Sequence, residues 1–229
     1  MSDVIPYISQ DILIDNFKPK CSYYWSHNFS PGFYINLAKK GFISTSNFYE
    51  EYGDILLPEM QEAYAVLHFE NLHISKNVKK LLNRGFEVII NQDINSFLPL
   101  LKKHHGDECW FTKSYIVLTF NLLKYTIEEE NFRLNTVFLK KDDKITAGEI
   151  GYFIGNTYTS LTGFYDRDFN NHGTLQLVLL AKELKKRKLK FWNLGHPYMD
   201  YKIKLGAKVL QMEKFLDIWE PETTGLDIG

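Results

Sequence analysis

Cysteine, long apolar stretches and an excess of charge are scarce in this 229-residue chain, and each shortage excludes a class of protein. The two cysteines, Cys21 and Cys109, lie far apart without the spacing of zinc ligands, so neither a disulfide framework nor a metal site is predicted. No apolar run approaches the roughly 18 residues that span a bilayer. Residues 1–10 lack the basic-then-apolar order of a signal peptide, so we expect a cytoplasmic protein without a membrane partner.

The charge balance excludes a general polyanion-binding protein, because the formal net charge is only −1. A local basic face would still hold the end of a nucleic acid. Aromatic residues, in contrast, are abundant at 15% of the chain, which predicts stacking surfaces in addition to a core. The length suits two domains, and we expect a small N-terminal domain of residues 1–66 followed by a larger domain of residues 67–229.

Hydrophobic periodicity and capping residues predict an α+β order of elements. Apart from one helix at 31–40, which ends at Gly41, residues 1–70 read as mostly irregular. The remaining predicted helices are 76–83, 93–103, 112–128, 173–189 and 199–205, and the predicted strands are 65–69, 86–90, 133–140, 145–154, 157–163, 190–194 and 208–218. The second half resembles the acyltransferase fold that N-acetyltransferases share with aminoacyl-tRNA-dependent transferases, which implies a mixed sheet with packed helices.

Four separated segments make a more specific resemblance. They are Ser30-Pro31 with the helix that follows, the heptapeptide ENLHISK at 70–76, the pentapeptide CWFTK at 109–113, and the hairpin at 146–167 followed by LGA at 205–207. In order and spacing these segments resemble the leucyl/phenylalanyl-tRNA–protein transferase family. The resemblance implies an enzyme that moves an amino acid from charged tRNA to the N-terminal α-amine of a protein, marking that protein for degradation. Aminoacyl-tRNA would be the co-substrate, with no other cofactor and no metal.

The departures from the family pattern are equally informative. The family's W-W-S-P segment is missing, since residues 56–63 read LLPEMQEA. Its D-x-Q, proposed to relay a proton, appears as Asn193-Leu194-Gly195 or is displaced toward His196. Its acceptor-side acid falls at Leu161, and its donor-pocket methionine falls at Glu149. Compared with the family, this chain therefore lacks an acid on the acceptor side and has an additional acid on the donor side.

The reaction needs little acid–base help, because the ester is activated and the attacking amine has a pKa of about 8. Positioning supplies much of the rate. The candidates for orienting or proton transfer are Asn193, His196 and Asp200. His196 precedes Pro197, so a purely structural turn residue is the other interpretation.

For the tRNA end, a stacking aromatic and a few phosphate contacts suffice. Trp110 is the best aromatic candidate of the donor pocket, with burial in the core as its alternative. Two lysine groups are candidate phosphate contacts, although solvated helix faces are common for such runs: Lys76, Lys79 and Lys80, and Lys182, Lys185 and Lys186. The segment DFNNHGT at 168–174 opens a helix that can bind phosphate. Its single glycine argues against the pyrophosphate loop of acetyl-CoA enzymes.

Glu149 raises the sharpest question, because a buried unpaired carboxylate is costly. It must be exposed at the hairpin edge, neutral, or paired with a cation. In the donor pocket that the resemblance implies, its natural partner is an arginine guanidinium, which predicts arginyl-tRNA as donor. With Leu161 on the acceptor side, basic N-termini become poor acceptors and acidic ones plausible, bound by Arg167, unless both residues are merely structural. Leucyl or phenylalanyl transfer, acetyl-CoA-dependent N-acetylation and non-catalytic binding of RNA ends are the alternatives.

Overall fold

The structure, a computed structural model, describes residues 5–9, 22–124 and 131–224. Cys21 and residues 125–128 of the predicted helix 112–128 lie outside these ranges. The described helices are α1 (Pro31–Lys39), α2 (Lys76–Lys79), α3 (Ile94–His105), α4 (Lys113–Leu122), α5 (His172–Lys186), α6 (Asp200–Lys204) and α7 (Met212–Thr224). The described strands are β1 (Ile43–Tyr49), β2 (Gly53–Glu59), β3 (Ala63–Leu67), β4 (Glu87–Asn91), β5 (Phe132–Lys141), β6 (Lys144–Ile154), β7 (Thr157–Tyr165), β8 (Phe191–Asn193) and β9 (Lys208–Gln211).

Seven of the strands form one mixed sheet in the order β4-β5-β6-β7-β8-β3-β9, and β1 and β2 form a separate hairpin. The pairs β4–β5, β5–β6 and β6–β7 are antiparallel, and β3 pairs antiparallel with both β8 and β9. The β7–β8 pair is parallel. A parallel pair needs a crossover connection, and α5 provides it.

Helices cover both faces of this sheet. On one face α5 buries Leu175, Val178, Ala181 and Leu184 against residues of β5, β6 and β8. On the other face, α1, α3, α4 and α7 bury a second cluster that contains Phe33, Phe97, Leu118 and Trp219. The predicted α+β class is confirmed, with helices packed on a large mixed sheet. None of the helices within the described ranges is long and apolar enough to cross a membrane.

Most predicted elements are present with shifted ends. Ser75 caps α2 as predicted, accepting a hydrogen bond from the Val78 amide at 3.4 Å, but the helix stops at Lys79. The expectation of irregular structure before residue 70 was wrong, since β1 and β2 pair over seven residues each. The predicted domain boundary between residues 66 and 67 falls inside β3, a strand of the main sheet.

The predicted strand 208–218 was also wrong beyond Gln211, because α7 begins at Met212. Phe215 and Trp219 are fully buried four residues apart, which is helical spacing. Phe215 stacks on Tyr64 of β3 at 3.7 Å between ring centroids. The Trp219 indole donates to the carbonyl oxygens of Ala38 and Lys39, so α7 satisfies the C-terminal end of α1. Tertiary packing of one face of α7 therefore stabilises the helix over a strand.

Gly206 fixes the turn between α6 and β9. Its φ of +107° is strained for any other residue, and an added Cβ would overlap the carbonyl oxygen of Asn71. We expect Gly206→Ala to lower the free energy of unfolding by about 2–4 kcal/mol, from backbone strain and overpacking together. Urea denaturation measures this. Gly32→Ala is the matched control, because nothing lies within 4 Å of its added Cβ. An equal loss in both variants would contradict the prediction.

Candidate functional site

The main sheet divides where β7 and β8 separate. The two strands pair over three residues only, and the last pair is Thr159 with Asn193. Beyond it, the chain after β8 stays bonded to β3, since the Leu194 amide donates to Ala65 at 2.9 Å and the Ala65 amide donates to Gly195 at 2.7 Å. β7 instead continues beside β6 to Tyr165. We call this division the fork, formed by residues 160–163 on the β7 side and residues 194–196 on the β8 side. An opening at the carboxyl end of parallel strands is a common ligand site.

Glu149 of β6 lies beside the β7 side of the fork. Its side chain is buried, with 4% of the residue exposed. The Oε1 atom accepts hydrogen bonds from the Ser160 hydroxyl at 2.7 Å and from the Tyr158 hydroxyl at 3.1 Å. The Oε2 atom accepts from the Gln176 amide of α5 at 3.2 Å. The alternative of an exposed hairpin edge is therefore excluded, and the carboxyl group is held by three neutral donors.

Burial raises the pKa of Glu149 to about 7, while its three hydrogen bonds act in the opposite direction. Within the part of the chain that the structure describes, Glu149 forms no salt bridge. The group is therefore close to half-ionised at neutral pH. It is also linked to β8, because the Trp192 indole donates to Ser160 Oγ at 2.8 Å.

A β-bulge lies next to Glu149. Ile150 pairs with Thr162 and Gly151 pairs with Ser160, so Leu161 has no partner across β6. Leu161 is half-buried and packs against the cluster that contains α1, α3 and α4. Bulges re-aim side chains near functional sites, and this one turns Ser160 toward Glu149 and Leu161 toward the opposite face.

Arg167, the second predicted acceptor-side residue, is exposed two residues after β7. Its charge contributes, after burial and the neighbouring His105, to a lowered pKa of His104 in α3. Arg167 therefore lies at the β7 end of the sheet and faces solvent. Its side chain is open to an incoming anion.

Two of the three predicted catalytic residues lie on the β8 side. Asn193 is 1% exposed, its Oδ1 accepts from the Gly195 amide at 2.9 Å, and its Nδ2 has no hydrogen-bond partner among the described residues. His196 has a buried Nδ1 that likewise lacks a partner in the described part of the chain. Burial, then the charge of Lys202, lowers the pKa of His196, so its imidazole is neutral at neutral pH. Asp200, in contrast, is in solvent, with its side chain 89% exposed and paired with Lys204 at 3.5 Å.

Lys202 of α6 is a functional candidate that the sequence did not reveal. Only 4% of the residue is exposed, and its Nζ donates to the carbonyl oxygen of His196 at 2.6 Å. Burial lowers its pKa to about 8. Burial, and after it the Glu149 carboxylate, raises the pKa of the neighbouring Tyr201 to about 12. A five-residue helix is too short for periodicity to show which lysine faces inward.

Trp110, predicted for the donor pocket, lies on the other face of the sheet from the partners of Glu149. Its ring is 4.5 Å from Phe111 and 4.9 Å from Tyr115 between centroids, in the cluster that includes α1 and α4. Tyr158, which bonds Glu149, belongs to the cluster on the α5 face. The structure therefore does not bring Trp110 and Glu149 into one pocket.

The two lysine groups share the α5 face. Val78 of α2 packs into the same cluster as Leu184 of α5. The six predicted lysines are all exposed, and none forms a salt bridge with a described residue: Lys76, Lys79, Lys80, Lys182, Lys185 and Lys186. Among the residues that the structure describes, no group of three His, Cys, Asp or Glu side chains suits a metal ion.

Comparison with known sequences identifies one family. The family model described as leucyl/phenylalanyl-tRNA protein transferase matches residues 66–220, which include both sides of the fork. No curated protein matches the chain by sequence.

Solved structures are similar in fold only. FemX is 12% identical with a TM-score of 0.51, over 84% of this chain and 70% of FemX, and its likeness confirms the predicted acyltransferase-like fold. L-PGS from Bacillus licheniformis is 12% identical with a TM-score of 0.45, over 72% of this chain and 66% of that one. A probable N-acyltransferase from Enterococcus faecalis V583 is 13% identical with a TM-score of 0.41, over 88% and 46%. The chain thus spans less than two thirds of the length of these last two proteins.

The buried carboxyl group of Glu149 makes a pH-dependent contribution to stability. Its folded pKa is raised from 4.5 to about 7, so this contribution is full below pH 4.5 and is lost as the pH rises through 7. We expect the free energy of unfolding of the parent, relative to Glu149→Gln, to fall by roughly 3 kcal/mol over this interval. Urea denaturation at several pH values measures it. A constant difference between the two proteins would show that Glu149 is not buried as described.

Proposed function

Because this chain belongs to the leucyl/phenylalanyl-tRNA protein transferase family, a family of enzymes, we propose that it transfers an amino acid from charged tRNA to the N-terminal α-amine of a protein. The family match over residues 66–220 carries this proposal. In the reaction the amine attacks the ester carbonyl carbon, an amide forms, and the ribose hydroxyl of the tRNA leaves. The product would be a protein marked for degradation by its new N-terminal residue.

The geometry supports a binding site for both substrates at the fork. A reaction of an activated ester depends mainly on holding the amine and the ester together. The fork provides two walls, with Glu149 behind one of them and His196 on the other. The exposed lysines on the α5 face provide positive charge for the phosphates of the tRNA acceptor end.

Arginine is the donor that best suits Glu149. The carboxyl group is buried among neutral donors, and Oε2 has a hydrogen bond only from Gln176 among the described residues. A leucine or phenylalanine side chain gains nothing from a buried acid, whereas a guanidinium stabilises its charged form and binds it through two hydrogen bonds. We therefore propose arginyl-tRNA as the preferred donor.

Donor preference tests this proposal directly. With pools of charged tRNA and an N-terminal reporter peptide, we expect arginine to be transferred in preference to leucine and phenylalanine. Glu149→Met should weaken arginine transfer by about 3–5 kcal/mol of transition-state binding, the cost of truncating a buried ion pair, and should not weaken leucine transfer. The arginine-to-leucine ratio of the parent should also rise between pH 6 and pH 8, as Glu149 ionises.

Two controls separate the outcomes. Glu87→Met removes an exposed acid of β4 and should change neither transfer. A parent that transfers leucine or phenylalanine and ignores arginine would overturn the donor proposal, as would unchanged arginine transfer by Glu149→Met. Absence of transfer from every charged tRNA would overturn the transferase itself. Stabilisation by acetyl-CoA alone would then favour N-acetylation, and tight tRNA binding without transfer would favour an RNA-end-binding protein.

Acidic N-termini are the acceptors that we propose. Leu161 offers no charge to a basic N-terminal residue, because it is half-buried and packs on apolar neighbours. Arg167, exposed at the end of β7, provides a positive charge for an acidic one. Arginine added to an acidic N-terminus gives a degradation signal of the N-degron type, as the family resemblance implies.

Reporter peptides that differ only in the first residue test the acceptor. We expect Asp and Glu to exceed Asn and Gln by about tenfold, which corresponds to roughly 1.4 kcal/mol, and Lys and Arg to be poor. Arg167→Met should reduce this advantage and leave the rate with Asn unchanged. Preference for Lys or Arg would show that the acceptor proposal is wrong.

A further inference from the structure

Lys202 is a buried amine without an anionic partner. Within the described ranges its Nζ bonds only to the carbonyl oxygen of His196, at 2.6 Å, and it forms no salt bridge. A lysine that is 4% exposed loses the hydration of its charge, so burial without a carboxylate is costly. Residues that carry such a cost are found disproportionately at functional sites.

The amine lies beside the β8 side of the fork. Gly195 has φ +73°, and an ideal Cβ built on it would lie 3.2 Å from Ile43 Cδ1 and 4.0 Å from Lys202 Nζ. Lys202 Nζ and the side chain of Ile43 therefore both flank Gly195. On either side of Gly195 in the chain, Asn193 Nδ2 and His196 Nδ1 are buried and have no hydrogen-bond partner within residues 5–9, 22–124 and 131–224. Buried polar atoms are rarely left so, and a bound substrate would satisfy them.

We propose that Lys202 exchanges protons with the reacting amine, an inference that rests on the proposed aminoacyl transfer. Neutral Lys202 accepts the proton that the α-amine loses as its nitrogen bonds to the ester carbonyl carbon. The carbon–oxygen bond to the ribose then breaks. The protonated Lys202 returns the same proton to the departing ribose oxygen. One amine and one ester thus give one amide and one alcohol, and Lys202 ends unchanged.

Three properties suit Lys202 to this step. Burial lowers its pKa to about 8, close to that of a peptide α-amine, so roughly a tenth of it is neutral at pH 7. The carbonyl of His196 fixes the position of Nζ. Burial is the cause of the Lys202 pKa shift, and no described acid opposes it: Glu59 of β2 raises the pKa of His196, and the Glu149 carboxylate raises that of Tyr201.

Single-turnover transfer measured against pH tests the proposal. Below pH 7 the slope of log rate against pH should be about one unit steeper in the parent than in Lys202→Met, because Lys202 must be neutral in addition to the substrate amine and every other group that titrates in both proteins. Lys202→Met should also lower the rate by about 10²–10⁴. Lys202→Arg should not restore the rate, since a guanidinium does not lose its proton in this range. Lys204→Met, whose side chain is 77% exposed, is the matched control and should behave as the parent.

A second measurement does not depend on activity. NMR of the parent labelled with ¹³C at lysine Cε, with the signal assigned through Lys202→Arg, should show Lys202 titrating near pH 8. A midpoint near 10, an unchanged slope in Lys202→Met or full rescue by Lys202→Arg would overturn the role of Lys202 while leaving the transferase intact. A parent without any transfer would overturn the proposed function and this role with it. Lys202→Met should retain or raise the melting temperature, which separates lost chemistry from lost folding.

Discussion

The separation of β7 from β8 after three paired residues is the constraint on which the rest of the site depends. A strand that loses its neighbour must satisfy its backbone elsewhere, and here each strand does so with a different partner. The chain after β8 bonds to β3 through Ala65, whereas β7 remains paired with β6. The sheet is continuous on both sides of the fork, so its walls are held rigidly. Helices packed on the sheet then contribute side chains beside those walls, such as Gln176 of α5 and Lys202 of α6.

Two ionisable groups of opposite charge are buried near the fork, and they are not paired with each other. Glu149 is held by three neutral donors, and Lys202 by one carbonyl oxygen. A direct ion pair would lower the pKa of the acid and raise that of the amine. Burial does the reverse: it raises the pKa of Glu149 to about 7 and lowers the pKa of Lys202 to about 8. Each group therefore changes protonation near neutral pH. Such pairs of shifted groups are typical of sites that bind charge or move protons.

Sequence periodicity predicted the elements whose structure is determined by local sequence. The helix after Pro31 and the hairpin of β6 and β7 are examples, because their apolar spacing and glycines act locally. It did not predict β1 and β2, or the change from strand to helix at Met212, where contacts with distant residues such as Tyr64 decide. For the site, the family resemblance singled out Asn193, and a lone acid in a run of glycine, β-branched and aromatic residues singled out Glu149. It could not place Trp110 on the opposite face, or show that Lys202 is buried while Lys204 is exposed, since both depend on tertiary packing.

In the proposed function, the fork separates recognition of the donor side chain from proton transfer. Glu149 lies behind the β7 wall and is fixed by α5 through Gln176, whereas Lys202 belongs to α6 and is fixed by the chain after β8. Because the two groups rest on different supports, the proposed roles predict that a change at Glu149 would alter donor preference without moving Lys202. Charge still connects the two groups, because the Glu149 carboxylate, after burial, raises the pKa of Tyr201, the neighbour of Lys202 in α6.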